Sequence, residues 1–438
     1  MNELFVDKFH KMEEDFGLFD LKELNMPLWD IIRYDIYYKY YWPETKISQN
    51  RQPQKSLLDF LKVLVDFLFT ISYFLINNSD SLIMPCSRYK NSDNKYFDKA
   101  SYNVINTLDS KFILETQSIY LKYLNKSATN YLMLYKSLSK KKQGVSKKNI
   151  SIVFNALQTA LGENKIDNDF IEILFNNFIL EYKYYRLLFR IKKSFKRVFF
   201  VQNGQQKGLI AAAKDSGVSV IELQHGSFEK DHLGYSYPKS ININSSILMP
   251  DTFCKLGDYW GRNMNIPIKN IVTTGNDYFV INNIEIRSDF ILIISSRIHQ
   301  KDLLPLTKEL SLKFPHKKLI YKLHSNEFRT KEECKNYLKA CFNVEIVSTE
   351  YQISELIAKC EFVVAINSTV VYEALSLNKI VFIYKRVNYE SFLTIEKIEN
   401  LYLIDNVFEI DSSFVPKFST EHTDIYFQKF EYERLNYE

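Results

Sequence analysis

The sequence predicts an α/β protein in which two doubly wound domains face each other across a cleft, with a helical N-terminal elaboration ahead of the first. Three observations carry this expectation. From Arg197 onward, short apolar runs alternate with helical patterns, as in parallel sheets joined by crossover helices. The alternation is interrupted by the polar, asparagine-rich stretch Asn276–Asp289 and then starts afresh. The chain has 438 residues, 46% of them apolar, which is more than one core normally organises.

The opening "MNELFVDKFHKMEEDFG" mixes acids with apolar residues and lacks the basic start, apolar run and cleavage site of a signal peptide. A cytoplasmic location is therefore expected. "MPLWDIIRYDIYYKYYW" (Met26–Trp42) reads as a short aromatic helix with Pro27 near its start. Lys55–Ile76, "KSLLDFLKVLVDFLFTISYFLI", is nearly long enough to span a bilayer. Its residues Lys55, Asp59, Lys62, Asp66, Thr70 and Tyr73 fall on a single helical stripe. Carrying those charges through lipid would cost roughly 2.5–3.5 kcal/mol for each central one. A buried amphipathic helix is favoured over an interfacial membrane helix, and a span is least supported.

"DSLIMPCSRY" is a strand that runs into a loop at Ser87 and Arg88. Helical patterns then dominate to about Phe195, broken by the lysine-rich "SKKKQGVSKKN" around Gly144. "DND" (Asp167–Asp169) matches an Asp-x-Asp metal motif, but it opens a helix, where capping is the simpler role. No metal is expected. Lys192, Lys193, Lys196 and Arg197 form a second basic cluster, and both clusters suit an anionic membrane surface.

Beyond Arg197 the expected order is strand "RVFFVQN", helix "GQQKGLIAAAKDSG", strand "VSVIELQHG", strand "SSILMP", helix "DTFCKLGDYWGRNMN" and strand "NIVTTGN". After the hinge, placed near residue 283, come "FILIISS", "KKLIYKLHS", "VEIVS", "EFVVAINS" and "KIVFIYK" as strands with helices between them. This gives two Rossmann-like units. Residues 1–283 form an acceptor-side domain (helical elaboration 1–196, Rossmann-like core 197–283). Residues 284–395 are expected to form the second domain, and 396–438 a helical tail that packs back on the first.

The balance of 57 Lys plus Arg against 52 Asp plus Glu argues against a nucleic-acid partner. Five cysteines without metal spacing fit reduced thiols. With no GxGxxG and no GxxxxGK[ST], neither a dinucleotide cofactor nor a P-loop is supported, and no cofactor is expected.

Parallel sheets bind ligands at the carboxyl ends of their strands, so the loops there are the candidate site. Gln224, His225 and Gly226 close one strand, with His225 as a general base and Glu222 as the residue that orients it. His232 and Tyr235, in the same loop, are candidate acceptor or sugar contacts, as are Gln224, Gly226, Ser87 and Arg88. In the second domain Asn367, Ser368 and Thr369 lie between a strand and a helix start, where free N–H groups favour a phosphate. Glu373 stands one turn further on, suited to ribose hydroxyls. Lys322 and His324 end another strand, and Ser295, Ser296 and Arg297 follow the first; all are donor-binding candidates.

The run "ISELIAKCEFVVAINSTVVYEAL", with "KLHS" before it and "KIVFIY" after it, resembles the donor domain of GT-B glycosyltransferases from bacterial capsule and O-antigen synthesis. In sialyltransferases and polysialyltransferases of that fold, a His-Pro motif and a Ser-Ser/Thr motif hold CMP. The matching positions here are His324-Ser325, with serine for proline, and Ser368-Thr369. "LQHGSFEKDHLGY" is similar to the Trp-His-Gly loop of teichoic-acid glycerophosphotransferases, whose histidine is regarded as the base, and to Gln-His-Gly loops of capsule-synthesis proteins. The likeness extends from about 197 to 390.

It implies a metal-independent, inverting transfer from a nucleotide-sugar donor to a glycan or lipid-linked oligosaccharide acceptor, at the inner face of the cell membrane. A CMP-linked acidic sugar ranks ahead of a UDP-sugar. A CDP-polyol phosphotransferase, a nucleotide-sugar epimerase and a non-catalytic sugar-nucleotide-binding protein remain as alternatives.

Overall fold

In the computed structural model, residues 5–41, 57–91, 93–116, 121–139, 143–162, 166–262, 264–280, 290–386, 389, 399–411 and 425–435 are described. The expected hinge near residue 283 lies outside them. Two parallel sheets organise these residues, and their strands are numbered here in chain order.

The first sheet contains β1 (Ser81–Ile83), β2 (Lys111–Glu115), β3 (Ala128–Thr129), β4 (Arg197–Phe200), β5 (Ser219–Leu223), β6 (Thr252–Lys255) and β7 (Asn270–Thr273), in the spatial order β7-β6-β5-β4-β1-β2-β3. The second contains β8 (Phe290–Ile294), β9 (Lys318–Lys322), β10 (Val344–Val347), β11 (Cys360–Ala365), β12 (Ile380–Tyr384) and β13 (Leu401–Ile404), in the order β10-β9-β8-β11-β12-β13. Counted from its own first strand, each sheet reads 3-2-1-4-5-6, and the first adds a seventh strand. This is the doubly wound Rossmann order. The chain thus has the two-domain α/β architecture of the GT-B class. The central strands are apolar along their whole length, as helices on both faces require; Leu82, Val198, Phe199, Leu292 and Val363 are fully buried.

Several expectations need correction. The first sheet does not begin at Arg197, because β1, β2 and β3 come from the stretch read as helical elaboration. β1 lies at the centre of the sheet, with Ser81 opposite both Lys111 and Arg197. A short apolar run such as "KFILE" has no period that separates a buried strand from a buried helix turn. "SSILMP" is not a strand. Pro250 interrupts it, and the pairing moves to Thr252–Lys255, inside the stretch expected to be a helix.

The tail is also different. Leu401–Ile404 extends the second sheet beside β12. Residues 425–435 run along the first domain without forming an α-helix, joined by Gln428 N–H to the Leu256 carbonyl (2.8 Å), Asn276 N–H to the Gln428 carbonyl (2.8 Å) and Glu431 N–H to the Thr274 carbonyl (2.8 Å). Gly275, at φ +68°, lets this segment approach, since a Cβ there would strike the Lys429 carbonyl.

The expected helices at Leu28–Tyr41 and Asn168–Ile191 form, and Asp167 caps the second by accepting from Phe170 N–H (2.8 Å). The N-terminal helices act as a buttress. Arg33 is buried against Glu13 and donates to the backbone carbonyls of Leu233 and Ser236. Asp30 accepts from Lys207 Nζ (3.1 Å) and Tyr237 OH (2.7 Å). Removing one partner of such a buried pair costs about 3–5 kcal/mol, so residues 13–33 fix the loop that follows β5.

The Leu57–Ile76 helix is not core. Among its described side chains none is fully buried; Asp66, Thr70 and Tyr73 of the polar stripe face the protein, while Lys62 is exposed. The expected orientation is reversed because Tyr131 and the Thr129 backbone offer hydrogen bonds to Asp66 and Thr70. Among the described residues, no helix is long and apolar enough to cross a membrane.

Candidate active-site cleft

In each sheet the strand order reverses between the first and fourth strands, and the loops leaving that point form the crevice. In the first domain these loops carry Ser87 and Arg88 after β1 and Gln202 after β4, with Gln224–Gly226 alongside after β5. In the second they carry Ser295–Arg297 after β8 and Asn367–Thr369 after β11, with His324 alongside after β9. The two sets meet. Thr369 Oγ1 accepts from Ser227 N–H (3.1 Å) and lies 3.0 Å from Ser227 Oγ. Gly226 keeps this contact close, since a Cβ would come 3.3 Å from Thr369 Oγ1, tighter than an ordinary contact. Beside it, Tyr372 OH donates to Glu229 Oε1 (2.7 Å), and Tyr372 packs on Trp260 at 4.7 Å between ring centroids.

His225 immediately precedes Gly226 at this junction. Its Nε2 lies 3.1 Å from Gln202 Nε2, and its Nδ1 is buried without a partner. With the Gln202 amide as donor, Nε2 accepts and Nδ1 carries the proton. Gln202 is held in the left-handed region (φ 66°), which is uncommon for a residue with a side chain. Burial first, then the charges of Arg88 and His232, push the His225 pKa down to about 3. Its imidazole is therefore neutral across the physiological range. Burial and Arg88 also lower His324, so Arg88 acts on both histidines from between the domains.

Glu373 is 7% exposed, and among the described residues no side chain donates to its carboxylate. Burial raises its pKa, and the Lys99 ammonium opposes the rise. Lys99 stands over the rings of Tyr89 (4.4 Å) and Tyr278 (4.8 Å). A small antiparallel hairpin, pairing Tyr89 with Phe97 and Lys90 with Tyr96, brings Arg88 and Lys99 to one end. Sequence reasoning missed Lys99 because no motif marks it.

It also missed Glu115, at the end of β2. Glu115 Oε1 accepts from Ser87 Oγ (2.9 Å), while Oε2 is buried and unpartnered; burial pushes this carboxyl up to about 8. An acid ending the buried run "KFILE" was the available signal. Glu229, pushed up to about 7 by burial at the domain junction, is the third omission.

Other expected site residues support the cleft from behind. Glu222 does not orient His225. It is fully buried, accepting from Asn203 N–H (2.9 Å), Asn203 Nδ2 (2.9 Å) and Tyr235 OH (2.6 Å) on the opposite side of β5. Tyr235 is thereby withdrawn from any sugar contact. Gln224 braces the loop through the Gly226 carbonyl (2.8 Å) and Leu256 N–H (2.9 Å). His232 stacks on Tyr34 at 5.8 Å, with its Nδ1 buried and unpartnered. The Ser87 hydroxyl is taken by Glu115.

Ser295 is hydrogen-bonded to Tyr321 OH (2.8 Å) and Glu327 Oε1 (2.7 Å), and Glu327 Oε2 accepts from His324 N–H (2.9 Å), which sets the His324 loop. The side chain of Ser325 lies outside the described residues. Lys322 Nζ donates to the carbonyls of Ser348 and Tyr351 and is not available to a donor phosphate. Ser296 makes no capping bond, and Arg297 is exposed. Ser368 Oγ accepts weakly from Val370 N–H (3.3 Å) at the start of the six-residue helix Val370–Leu375. Arg88, Lys99, His225, His324, Ser368 and Glu373, drawn from both domains, are the candidate ligand contacts at the junction.

No protein-family model matches the chain, and no curated protein matches it. Solved structures with a similar course include the UDP-GlcNAc 2-epimerase of Methanocaldococcus jannaschii in complex with UDP-GlcNAc and UDP (13% identity, TM-score 0.44, covering 74% of this chain and 89% of that one). The UDP-GlcNAc 2-epimerase of Neisseria meningitidis bound to UDP-GlcNAc is similar at 13% identity and TM-score 0.41, over 74% and 87%. A glycosyltransferase of Rickettsia africae is similar at 13% identity and TM-score 0.39, over 75% and 85%.

Proposed function

We propose that the cleft is the active site of an inverting, metal-independent glycosyltransferase that moves a sugar from a nucleotide donor to a surface-polysaccharide or lipid-linked acceptor at a membrane surface. The observation that carries this reading is the junction itself. A neutral, half-buried histidine on one domain stands with an exposed arginine and Lys99, whose charges act on His324 and on Glu373 of the other domain, beside the Ser368 loop. A displacement at an anomeric carbon asks for that division of labour. The acceptor hydroxyl takes the place of the Gln202 amide at His225 Nε2, and Nε2 then takes its proton as the new C–O bond forms. The bond from carbon to phosphate oxygen breaks, and the leaving phosphate receives the electron pair beside Arg88, His324 and Ser368. Glu373 holds ribose hydroxyls, which supply the hydrogen bonds its carboxylate lacks.

The low pKa of His225 fits a base that is tuned by its substrate. An anion beside Arg88 cancels the repulsion that depresses the imidazole and adds an attraction, and both effects raise its basicity when the donor is bound. Arg88 and Lys99 supply positive charge beyond the needs of one phosphate. The carboxylate of a CMP-linked acidic sugar matches that charge, with the second phosphate of a UDP-sugar as the next reading.

Thermal-shift titration of the full chain with CMP, CDP and UDP tests the proposal. A ligand at 100 times its Kd stabilises a fold by about 2.7 kcal/mol, so stabilisation by CMP is the expected result. Stabilisation by UDP alone transfers the donor to the UDP-sugar class. No stabilisation by any of the three, or isomerisation of a donor with no acceptor present, overturns the glycosyltransferase reading.

A further inference from the structure

The Leu57–Ile76 helix packs on the first domain through Asp66, Thr70 and Tyr73. Asp66 Oδ2 accepts from Tyr131 OH (2.6 Å), Thr70 Oγ1 accepts from Thr129 N–H (3.2 Å), and Tyr73 stacks on Phe112 (5.0 Å). The opposite side carries Leu64, Val65, Leu68, Ile71, Leu75 and Ile76 into solvent, with Val65 65% and Ile76 82% exposed. Aliphatic side chains lined up on one face and left in water are unfavourable until something covers them. An apolar face this long marks an interaction surface.

Two neighbouring helices extend the surface. Leu132–Leu138 exposes Met133 and Leu138, and the end of Asn168–Ile191 exposes Leu187 and Ile191. They adjoin the first helix through Tyr131, whose N–H donates to Tyr184 OH (3.2 Å), and through Lys192 Nζ, which reaches the Leu75 carbonyl (3.3 Å).

The charge at the rim selects the occupant. Arg186, Arg190, Lys193 and Lys196 are exposed, and the sequence from 186 to 196 contains no acid. Lys126, also exposed, stands over Tyr73 at 4.7 Å. Apolar side chains flanked by cations and aromatic rings match the boundary between acyl chains and anionic headgroups. Asp59, Lys62 and Asp66 are incompatible with a span, so the helix lies in the plane of the interface.

We propose that this three-helix face docks on an anionic lipid bilayer, with Leu64–Ile76 among the upper acyl chains and the Arg186–Lys196 cations on lipid phosphates. It deepens the membrane location given above and is independent of the chemistry in the cleft.

Flotation of the full chain with vesicles of phosphatidylcholine alone, or of phosphatidylcholine with 30% phosphatidylglycerol, on the order of cytoplasmic-leaflet charge, is the test. Wild type should float with the anionic vesicles and much less with the neutral ones. The Leu68→Glu/Leu75→Glu double variant, altered only at exposed positions, should lose flotation and keep the wild-type melting temperature. Arg190→Glu/Lys193→Glu should bind anionic vesicles at least roughly 25-fold more weakly, about five-fold for each cation removed. His225→Ala should float as wild type does, which separates this surface from the reaction. Three results would overturn the proposal: wild type left unbound at low salt, apolar-face variants that float normally, or light scattering that finds a dimer dissolved by Leu68→Glu/Leu75→Glu.

Discussion

Replacing Glu373 by glutamine should stabilise the empty protein and weaken its hold on nucleotide. Glu373 is 7% exposed, no side chain among the described residues donates to its carboxylate, and the Lys99 charge opposes the effect of burial. A buried acceptor left without a partner costs about 1–3 kcal/mol, and more when charged; Lys99 offsets part of this, so a net gain of about 1–2 kcal/mol is expected for Glu373→Gln. For a cooperative unit of roughly 150–250 residues, that gain raises Tm by about 2–8 °C.

Because folding raises the pKa of Glu373 above 4.5, the wild type is penalised only where the unfolded carboxyl ionises. The advantage of glutamine should therefore grow as pH rises above that value and vanish below it. Binding should change in the opposite direction. Loss of a charge-assisted bond to ribose removes about 1.5–3 kcal/mol, a rise in Kd of roughly 10- to 150-fold. Scanning fluorimetry with and without nucleotide measures both quantities. A variant that melts lower and binds as well as wild type would refute the reasoning and make Glu373 a structural acid.

Glu222→Ala should lower unfolding free energy by about 3–5 kcal/mol in urea titration, because it leaves the two Asn203 donors and Tyr235 OH unpaired. A normal melt with abolished turnover would return Glu222 to catalysis. For Glu229, burial raises the pKa from 4.5 to about 7, so its contribution to stability is present below 4.5 and lost as pH rises through 7. Glu229→Gln should match wild type at pH 4 and exceed it at pH 8 by at most about 3 kcal/mol, and equal stability at both values would contradict that shift.

The second domain was legible strand by strand, because buried parallel strands of four to six residues alternate there with helices. The first sheet was only half legible. The strand expected in "DSLIMPCSRY" forms as β1, but β3 is two residues long and the sequence around β2 reads as helix. β13 was hidden in the presumed tail. For the site, the strand ends were visible, but the facing of individual side chains was not. Glu222, Ser295 and Lys322 are turned into supporting bonds by Asn203, Glu327 and the Ser348 carbonyl, partners that no local pattern announces. The Leu57–Ile76 stripe was likewise visible, yet periodicity defines two faces without saying which is inward. Tyr131 and Thr129, about 60 residues away, decide that.

The central claim is that His225 takes the acceptor proton at a cleft built from both domains. Its most direct test is release of CMP from a CMP-linked acidic sugar in the presence of an oligosaccharide acceptor, by wild type and His225→Ala, with nucleotide affinity measured by calorimetry on both. The predicted result is a fall in kcat of about 10²- to 10⁴-fold with CMP affinity unchanged. Turnover retained by His225→Ala would contradict the account.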